Sequence, residues 1–399
     1  MKKRISIGTS IVLVLFFCIA TFLITANAFQ TQHNKELACL NKKTAFYDKL
    51  SEVYDKVADS FIKDTTSEDM TDAYLSEYID SLGDRYSTYL AKDEMEAYTA
   101  ETSGDLVGIG VHVAYDSDSG GIYISNVMKN SPALEAGIQA GDIIIQVGDI
   151  VISSDTYYEA INAVKGKAGE AVSLVIKRRS ENISISVVRA EIESESVIYE
   201  KLDGNIAYVS ILEFNNYTAE AFKESLENAK NDGCTKFIFD VRNNPGGDLD
   251  AIVSVLDTIL PEGPIINIID KSGNAETKNS DAAFLDYPMV VICNGNTASA
   301  GELFTAALRD YELAKIVGTT TFGKGTMQTI YSLPDGSGLK ISTAYYNPPS
   351  NISYDGTGIL PDFEVVMSDE DMARFYKLTK EEDNQLQKAI EIINSEIID

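Results

Sequence analysis

The sequence predicts an α/β (α+β) core with a mixed sheet and helices, preceded by an inserted β-rich domain and an N-terminal apolar helix. From about Glu191 onward, apolar strands alternate with amphipathic helices, which is typical of an α/β core with buried strands. Between 104 and 190, short β-branched strands are separated by glycine turns. These patterns divide the chain into predicted regions at 1–30, 31–103, 104–190, 191–367 and 368–399.

Region 1–30 is predicted to be a signal anchor or transmembrane helix. The basic residues Lys2–Arg4 precede an apolar run from about Ile5 to Ala26. This run is longer than the usual core of a signal peptide and long enough to span a bilayer. Because a basic flank stays in the cytoplasm, the rest of the chain is expected outside, held at the cell membrane. The text "ANA" at 26–28 resembles a signal-peptidase site, so secretion after cleavage is the alternative.

Regions 31–103 and 368–399 are predicted to be mainly helical. In "AFYDKLSEVYDKVADSF" the aromatic and aliphatic residues follow a helical period. The tail is charged, and we expect it to lie on the surface. Because both regions are charged and amphipathic, they allow a homodimer through the terminal helices.

Composition excludes several classes of function. The formal net charge of -28 and the pI of about 4.4 disfavour nucleic acid as a partner, because an acidic surface repels phosphate backbones. Four cysteines fit no zinc or CxxC spacing and are interpreted as buried small hydrophobes: Cys18, Cys39, Cys234 and Cys293. Only two histidines occur, which removes most metal sites and most Ser-His-Asp arrangements. No metal or other cofactor is expected.

The region 104–190 resembles a PDZ domain. The texts "GDLVGIGVHV", "SPALEAGIQAGDIIIQVGD" and "TYYEAINAVK" carry this resemblance. Domains of this kind add the C-terminal end of a peptide as an extra strand beside a helix, and backbone amides of a nearby loop receive its carboxylate. The resemblance implies Val107, Gly108 and Ile109 as the candidate loop residues. The alternative is a β-domain that serves only as a structural spacer.

The stretch "NTASAGELFTAALRD" has two interpretations. Ser299 followed by Glu302 is a capping-box pattern at the start of a helix. A small-residue turn before a helix also suits a nucleophile, although Thr297 stands where a GxSxG motif has its first glycine. A nucleophilic serine needs a base within hydrogen-bond reach. Neither His33, beside the apolar helix, nor His112, in the β-rich domain, is well placed for that role.

Lysine is the remaining common base for serine. Lys324 lies between two glycines in "TTTFGKGTMQ", an apolar and threonine-rich turn. The glycines permit close backbone packing, which favours burial of the amine. Burial lowers the pKa of a lysine, and a base at neutral pH requires a pKa about 3 units below the ordinary value.

The core resembles the C-terminal processing peptidases, or tail-specific proteases. The text "TASAGE" resembles their serine motif and "TFGKGTMQ" their lysine motif, with a separation of 324 − 299 = 25 residues as in that family. The resemblance implies Ser299 as nucleophile, Lys324 as general base and Gln328 as the residue that orients the lysine. Gly301 departs from the family pattern, which often has a second serine there.

The oxyanion donors are expected to be backbone amides. Ala300 follows the serine at a helix start, where free N–H groups favour negative charge. The text "DVRNNPGG" resembles the family's "DLRxNPGG" segment and implies Gly246 as the second donor, with Gly247 next. The alternative is a glycine turn that only connects a strand to a helix.

Together, the motifs predict a serine endopeptidase that recognises protein C-terminal tails through its PDZ domain. Two alternatives stay open. A membrane-tethered, catalytically inactive peptide-binding scaffold would need no Ser/Lys pair, and an esterase could use the same serine.

Overall fold

The computed structural model describes residues 7–63, 67–281 and 284–395. The chain forms two compact units, Met1–Tyr74 and Leu75–Asp399. The β-rich domain and the α/β core both belong to the second unit.

The first unit consists mainly of one long helix, α1 (Ile7–Ser60). Large apolar side chains in its first half are exposed, among them Phe16, Phe22 and Leu23. By length and composition α1 is able to cross a membrane, and an apolar helix near an N-terminus is also typical of a signal sequence. The predicted basic flank Lys2–Arg4 lies outside the described residues.

The prediction of four buried cysteines is correct for only two of them. Cys234 and Cys293 are buried in the second unit, whereas Cys18 and Cys39 are exposed on α1. In the described part of its unit, no sheet or second long helix covers α1, so its side chains lack a protein layer.

The segment before the β-rich domain contains α2 (Ser67–Asp80), β1 (Thr88–Leu90) and α3 (Lys92–Ser103). Both helices agree with the prediction. The short strand β1 interrupts them because "STYL" pairs with a strand of the core.

The β-rich domain is a sheet closed by two short helices. Its elements are β2 (Asp105–Gly108), β3 (Val111–Asp116), β4 (Gly121–Val127), α4 (Pro132–Glu135), β5 (Ile143–Val147), β6 (Ile150–Val151), α5 (Tyr157–Val164), β7 (Ala171–Arg178), β8 (Glu181–Val188) and β9 (Ala190–Glu193). The sheet order is β3-β4-β5-β7-β8, so β3 is an edge strand, and β2 pairs separately with β9. Alternating residues such as Ile122 and Ile124 are fully buried, as the period of a half-buried strand requires.

The α/β core follows directly. Its elements are β10 (Val197–Leu202), β11 (Ile206–Ile211), α6 (Thr218–Asn231), β12 (Lys236–Asp240), α7 (Leu249–Asp257), β13 (Gly263–Asp270), β14 (Ala275–Ser280), β15 (Met289–Cys293), α8 (Ala300–Asp310), β16 (Ala314–Gly318), β17 (Thr326–Ser332), β18 (Gly338–Asn347) and β19 (Phe363–Glu364). These elements confirm the predicted mixed α/β architecture.

Two sheets organise the core. The central sheet has the order β10-β11-β12-β15-β16-β19 and is parallel except for the pair β10–β11. The second sheet is antiparallel, with the order β1-β18-β13-β14 and β17 beside β18. Because β12 and β15 are parallel neighbours, the loops that follow them leave the same edge of the central sheet.

The expectation that the tail is helical is confirmed, but the expectation that it lies on the surface is wrong for α10. It forms α9 (Asp369–Ala373), a 3₁₀ turn (Phe375–Lys377) and α10 (Asn384–Ile393). Leu386, Ala389 and Ile392 are buried among residues of the central sheet. Their spacing of three residues gives α10 one apolar face, and the sheet needs a cover on the side that α6, α7 and α8 leave open.

Candidate active site

Ser299 lies between the end of β15 and the start of α8. Its φ of 53° and ψ of -115° place it in a region that non-glycine residues rarely adopt, at a cost of about 1–3 kcal/mol. Such strain is concentrated at functional sites. The predicted capping box is present, and the Glu302 carboxylate accepts a hydrogen bond from the Ser299 N–H at 3.0 Å.

Tyr346 contacts the Ser299 hydroxyl and was missed by the sequence reasoning. Its hydroxyl lies 2.8 Å from the Lys324 carbonyl oxygen and 3.3 Å from Ser299 Oγ. The phenol has one proton, so the shorter bond to the carbonyl is the stronger. Burial raises the pKa of Tyr346, which therefore stays a neutral donor at physiological pH. The one local sign of its burial was the alternation of a strand, which puts Tyr346 on the face opposite to that of the exposed Tyr345 in β18.

Lys324 lies in the loop between β16 and β17, and its two flanking glycines have a steric purpose. A side chain at Gly323 would lie 2.9 Å from the Gly358 nitrogen, and one at Gly325 would lie 2.8 Å from Asp355 Cβ. Real Cβ atoms are essentially never that close, so glycine is required for this packing. The structure therefore confirms the predicted close backbone packing around the lysine.

The environment of Lys324 shifts its amine toward the neutral form. Burial, with a further contribution from the positive charge of Lys340, lowers the pKa of Lys324 to about 8, and Asp84 acts in the opposite direction. The amine lies 4.8 Å from the centre of the Tyr86 ring. Within the described residues, no carboxylate forms an ion pair with it. Partial burial therefore outweighs the attraction of Asp84 and brings the pKa closer to neutral pH.

Glu302 joins the serine turn to the lysine loop. Its side chain is fully buried. One carboxylate oxygen accepts from Thr321 Oγ1 and the Gly323 N–H, both at 2.6 Å. The other accepts from the Ser299 N–H at 3.0 Å and the Lys324 N–H at 2.8 Å. Burial raises the pKa of Glu302 and the four hydrogen bonds oppose that rise. The capping pattern revealed the helix start but not this second contact.

The two predicted catalytic residues are linked through shared neighbours, which contact Lys324 at its main-chain N–H and carbonyl groups. Tyr346 and Glu302 each contact both Ser299 and Lys324. Across the described residues, no direct hydrogen bond joins Ser299 Oγ to Lys324 Nζ. Catalytic hydrogen bonds are often long before substrate binds, so this arrangement is compatible with a dyad.

Gln328 lies on β17, four residues after Lys324. Its amide nitrogen donates to Ser342 Oγ at 3.0 Å and to Thr326 Oγ1 at 3.2 Å. It makes no hydrogen bond to Lys324 in the described part of the chain. Its predicted orienting role stays a prediction.

The glycine turn after β12 lies directly against the serine turn. A side chain at Gly246 would lie 2.7 Å from Ser299 Cβ and 2.9 Å from the Ala300 nitrogen. The Gly246 N–H, however, already donates to Asn244 Oδ1 at 2.8 Å. Among the described residues, the N–H groups of Ala300 and Gly247 have no hydrogen-bond partner. The structure therefore favours Gly247 over Gly246 as the second free amide.

A buried ion-pair cluster supports the strand that precedes this turn. Arg242 binds Asp240 at 2.5 Å and Asp383 at 2.8 Å, and all three side chains are withdrawn from water. Phe375 lies over the guanidinium at 4.8 Å. The cluster thus fixes α10 to the end of β12, where the glycine turn begins.

The predicted peptide-binding loop lies in the β-rich domain. Val107 and Gly108 belong to β2 and pair with β9. Ile109 is buried, and its carbonyl accepts from the Ala133 N–H at 2.8 Å. The free edge of β3 follows this loop. His112 lies on β3 with its Nε2 3.7 Å from Glu195.

No cluster of three or more metal-binding side chains occurs in the ranges that the structure describes.

Comparisons with known proteins agree with this architecture. Residues 205–365 match Peptidase family S41 and residues 99–177 match the PDZ domain. A probable CtpA-like serine protease of Staphylococcus saprophyticus is 34% identical over 311 residues, which are 77% of this chain and 63% of that relative. A probable CtpA-like serine protease of Staphylococcus aureus strain COL is 32% identical over 355 residues, covering 87% and 71% of the two chains.

Solved structures give the same result. The photosystem II D1 C-terminal processing protease is 25% identical, with a TM-score of 0.50 over 82% of this chain and 90% of that one. A putative S41 protease from Bacteroides fragilis shares the fold, with a TM-score of 0.59, 18% identity and coverage of 84% and 90%. The chain therefore belongs to peptidase family S41 and carries a PDZ domain within it.

Proposed function

We propose that this chain is a serine endopeptidase that cleaves proteins after capturing their C-terminal tails. One observation carries the proposal. A lysine with a pKa lowered to about 8 shares two buried neighbours with a serine in a strained backbone conformation. A nucleophile and its base need such shared positioning.

The proposed reaction proceeds through an acyl-enzyme. Neutral Lys324 accepts the proton of Ser299 while Oγ forms a bond to the carbonyl carbon of the scissile peptide. The oxyanion is stabilised by the free N–H groups of Ala300 and Gly247, with Gly246 allowing the close approach. Protonated Lys324 then gives its proton to the leaving amine. Water hydrolyses the acyl-enzyme, and Gln328 is the proposed orienting residue for the lysine.

The PDZ domain is proposed to select the substrate. The tail would add beside the edge strand β3, and backbone amides at the end of β2 and just after it, at Val107, Gly108 and Ile109, would receive its carboxylate. In this proposal α1 holds the protein at the outer face of the membrane. Because one face of α10 is buried in its own core, we place the proposed homodimer contact on α1, whose side chains are exposed.

The PDZ domain is also proposed to regulate the core. The 3₁₀ turn connects the two: Tyr376 donates to the Tyr115 carbonyl of β3 at 2.6 Å, and Lys377 pairs with the buried Asp116. Tail binding at β3 would change these contacts and so the core. A free peptide with an apolar C-terminus should then accelerate cleavage of a second substrate. An unchanged rate at saturating peptide would argue against this regulation.

The proposed function is tested with the full chain in detergent and an unfolded protein that has an apolar C-terminus. Ser299→Ala and Lys324→Ala should each lower cleavage at least about 1000-fold. The matched controls Ser254→Ala and Lys271→Ala replace exposed residues and should keep wild-type rates. Unchanged cleavage in Lys324→Ala would rule out the dyad. Peptide binding without any cleavage would favour the inactive scaffold, and ester hydrolysis alone would favour an esterase.

A further inference from the structure

The proposed nucleophile and the proposed oxyanion donor of the glycine turn lie on different loops. Ser299 follows β15, and the glycine turn at 246–247 follows β12. The two strands are parallel neighbours, but each loop extends beyond the last ladder pair, Asp240 with Ile292. The relative position of the two loops therefore depends on contacts outside the sheet.

Three asparagines provide those contacts, and we call them the asparagine bridge: Asn243, Asn294 and Asn296. Asn294 Oδ1 accepts from the N–H groups of Asn243 at 3.0 Å and Asn296 at 3.1 Å. In return, Asn243 Oδ1 accepts from the side-chain amides of Asn294 and Asn296, both at 3.0 Å. Asn243 has a φ of 59°, a conformation that asparagine tolerates better than most residues.

The bridge continues as a seam toward the nucleophile. Thr297 Oγ1 donates to the Val241 carbonyl at 2.7 Å, and the Ala298 N–H donates to the Asn244 carbonyl at 2.9 Å. The next residue along this seam is Ser299. Each loop is thus held to the other at successive positions.

Hydrogen bonds, rather than apolar packing, hold the outer side of the bridge. That side faces a cavity of about 320 Å³, whose other wall includes Met372 and Phe375 of the tail. Asn243 and Asn296 are exposed. In the described residues, the bridge joins the two loops through hydrogen bonds, and the apolar Met372 and Phe375 lie across the cavity.

We propose that Asn294 is a positioning residue that sets the distance between the oxyanion amides and the nucleophile, a role that rests on the proposed function. Asn243 is its partner on the opposite loop. Displacement of a reacting group by about 1 Å lowers a rate by about 100-fold. Such a displacement weakens transition-state stabilisation more than substrate binding.

Two variants separate this role from ordinary stability. Asn294→Ala removes two of the three hydrogen bonds by which the bridge joins the loops and leaves only the one from Asn296 to Asn243. Asn243→Gly keeps the positive φ at little cost but removes the acceptor oxygen. Both should lower kcat by about 10-fold to 100-fold with a nearly unchanged KM. Asn243→Asp keeps the acceptor oxygen and should retain most of the activity. Asn274→Ala removes a comparable turn contact in the hairpin between β13 and β14 and should have wild-type kinetics.

A second readout reports on the oxyanion site directly. A peptide aldehyde forms a tetrahedral adduct with a serine hydroxyl, and the matching peptide alcohol does not. Asn294→Ala should weaken inhibition by the aldehyde by the same factor as kcat and leave inhibition by the alcohol unchanged. Equal loss of both inhibitors, or wild-type kcat in both Asn294→Ala and Asn243→Gly, would overturn the inference alone. Cleavage that survives Ser299→Ala would overturn the proposed function and the inference with it.

Discussion

The pH dependence of cleavage should follow the protonation of Lys324. With a pKa of about 8, about one tenth of the amines are neutral at pH 7 and about nine tenths at pH 9. The value of kcat/KM should therefore rise about tenfold over this range and then level off. A lysine at the ordinary value of 10.5 would give a rise of about 100-fold over the same range, with no plateau by pH 9.

Two neighbouring charges allow the midpoint to be moved in opposite directions. Lys340 lowers the pKa of Lys324 through charge repulsion, and Asp84 raises it through attraction. Lys340→Met should therefore move the midpoint of the profile to higher pH. Asp84→Asn keeps the shape of the side chain and should move the midpoint to lower pH.

The assay is kcat/KM for an internally quenched peptide, measured from pH 6 to pH 10.5 on the full chain in detergent, with Lys271→Ala as control. A midpoint within about one pH unit of 8 agrees with Lys324 as the base. A flat profile, a midpoint above 10, or the same direction of change in both charge variants would refute the reasoning.

Three further changes test the energetics of the site and the fold. Lys324→Met should stabilise the inactive protein by about 1–2 kcal/mol at pH 7, because the folded state lowers the pKa of this half-buried amine and so opposes its charge. This gain in the free energy of unfolding should shrink as the pH rises from about 8, the pKa in the folded state, to 10.5, the ordinary value. Urea midpoints of the two proteins at pH 7 and at pH 10.5 measure this change. Glu302→Gln replaces one of the two acceptor oxygens by an NH2 group, so two of the four hydrogen-bond donors around it lose their acceptor. The change should lower the free energy of unfolding by about 1–3 kcal/mol and kcat by at least about tenfold. Asp383→Ala leaves Arg242 paired with Asp240 but removes two charged hydrogen bonds and the side-chain cap of α10, and should cost about 2–4 kcal/mol in urea unfolding. As a control, Glu382→Ala removes the exposed partner of Arg374 and should change the urea midpoint far less than Asp383→Ala does.

Local sequence patterns predicted the features that are formed by residues close together in the sequence. The alternation of strands and helices predicted the core, and the glycines around Lys324 predicted its packing. Ser299 and Glu302 are three residues apart, so the sequence alone predicted the capping box. Each of these features depends on backbone geometry over a few residues, which a single sequence specifies well.

The features that were missed depend on distant pairings. Tyr346 reaches Ser299 because β18 pairs with β13 and β17, and nothing near "AYYN" specifies that register. Arg242 and Asp383 are separated by 141 residues. The apolar face of α10 was a usable signal, however. Its buried residues recur every three positions, which should have predicted a packed helix in place of a surface-lying tail.

The burial of Glu302 shows why a helix cap and a catalytic arrangement coincide here. A cap alone needs one carboxylate oxygen, directed at the Ser299 N–H. The other oxygen would then be buried without a donor, at a cost of several kcal/mol for a charged group. The Thr321 hydroxyl and the Gly323 N–H supply the missing donors, and the Lys324 N–H joins the Ser299 N–H on the first oxygen. Separation of the lysine loop from the serine turn would leave the buried Glu302 carboxylate without these donors. Glu302 therefore both caps the start of α8 and fixes the position of Lys324, the proposed base.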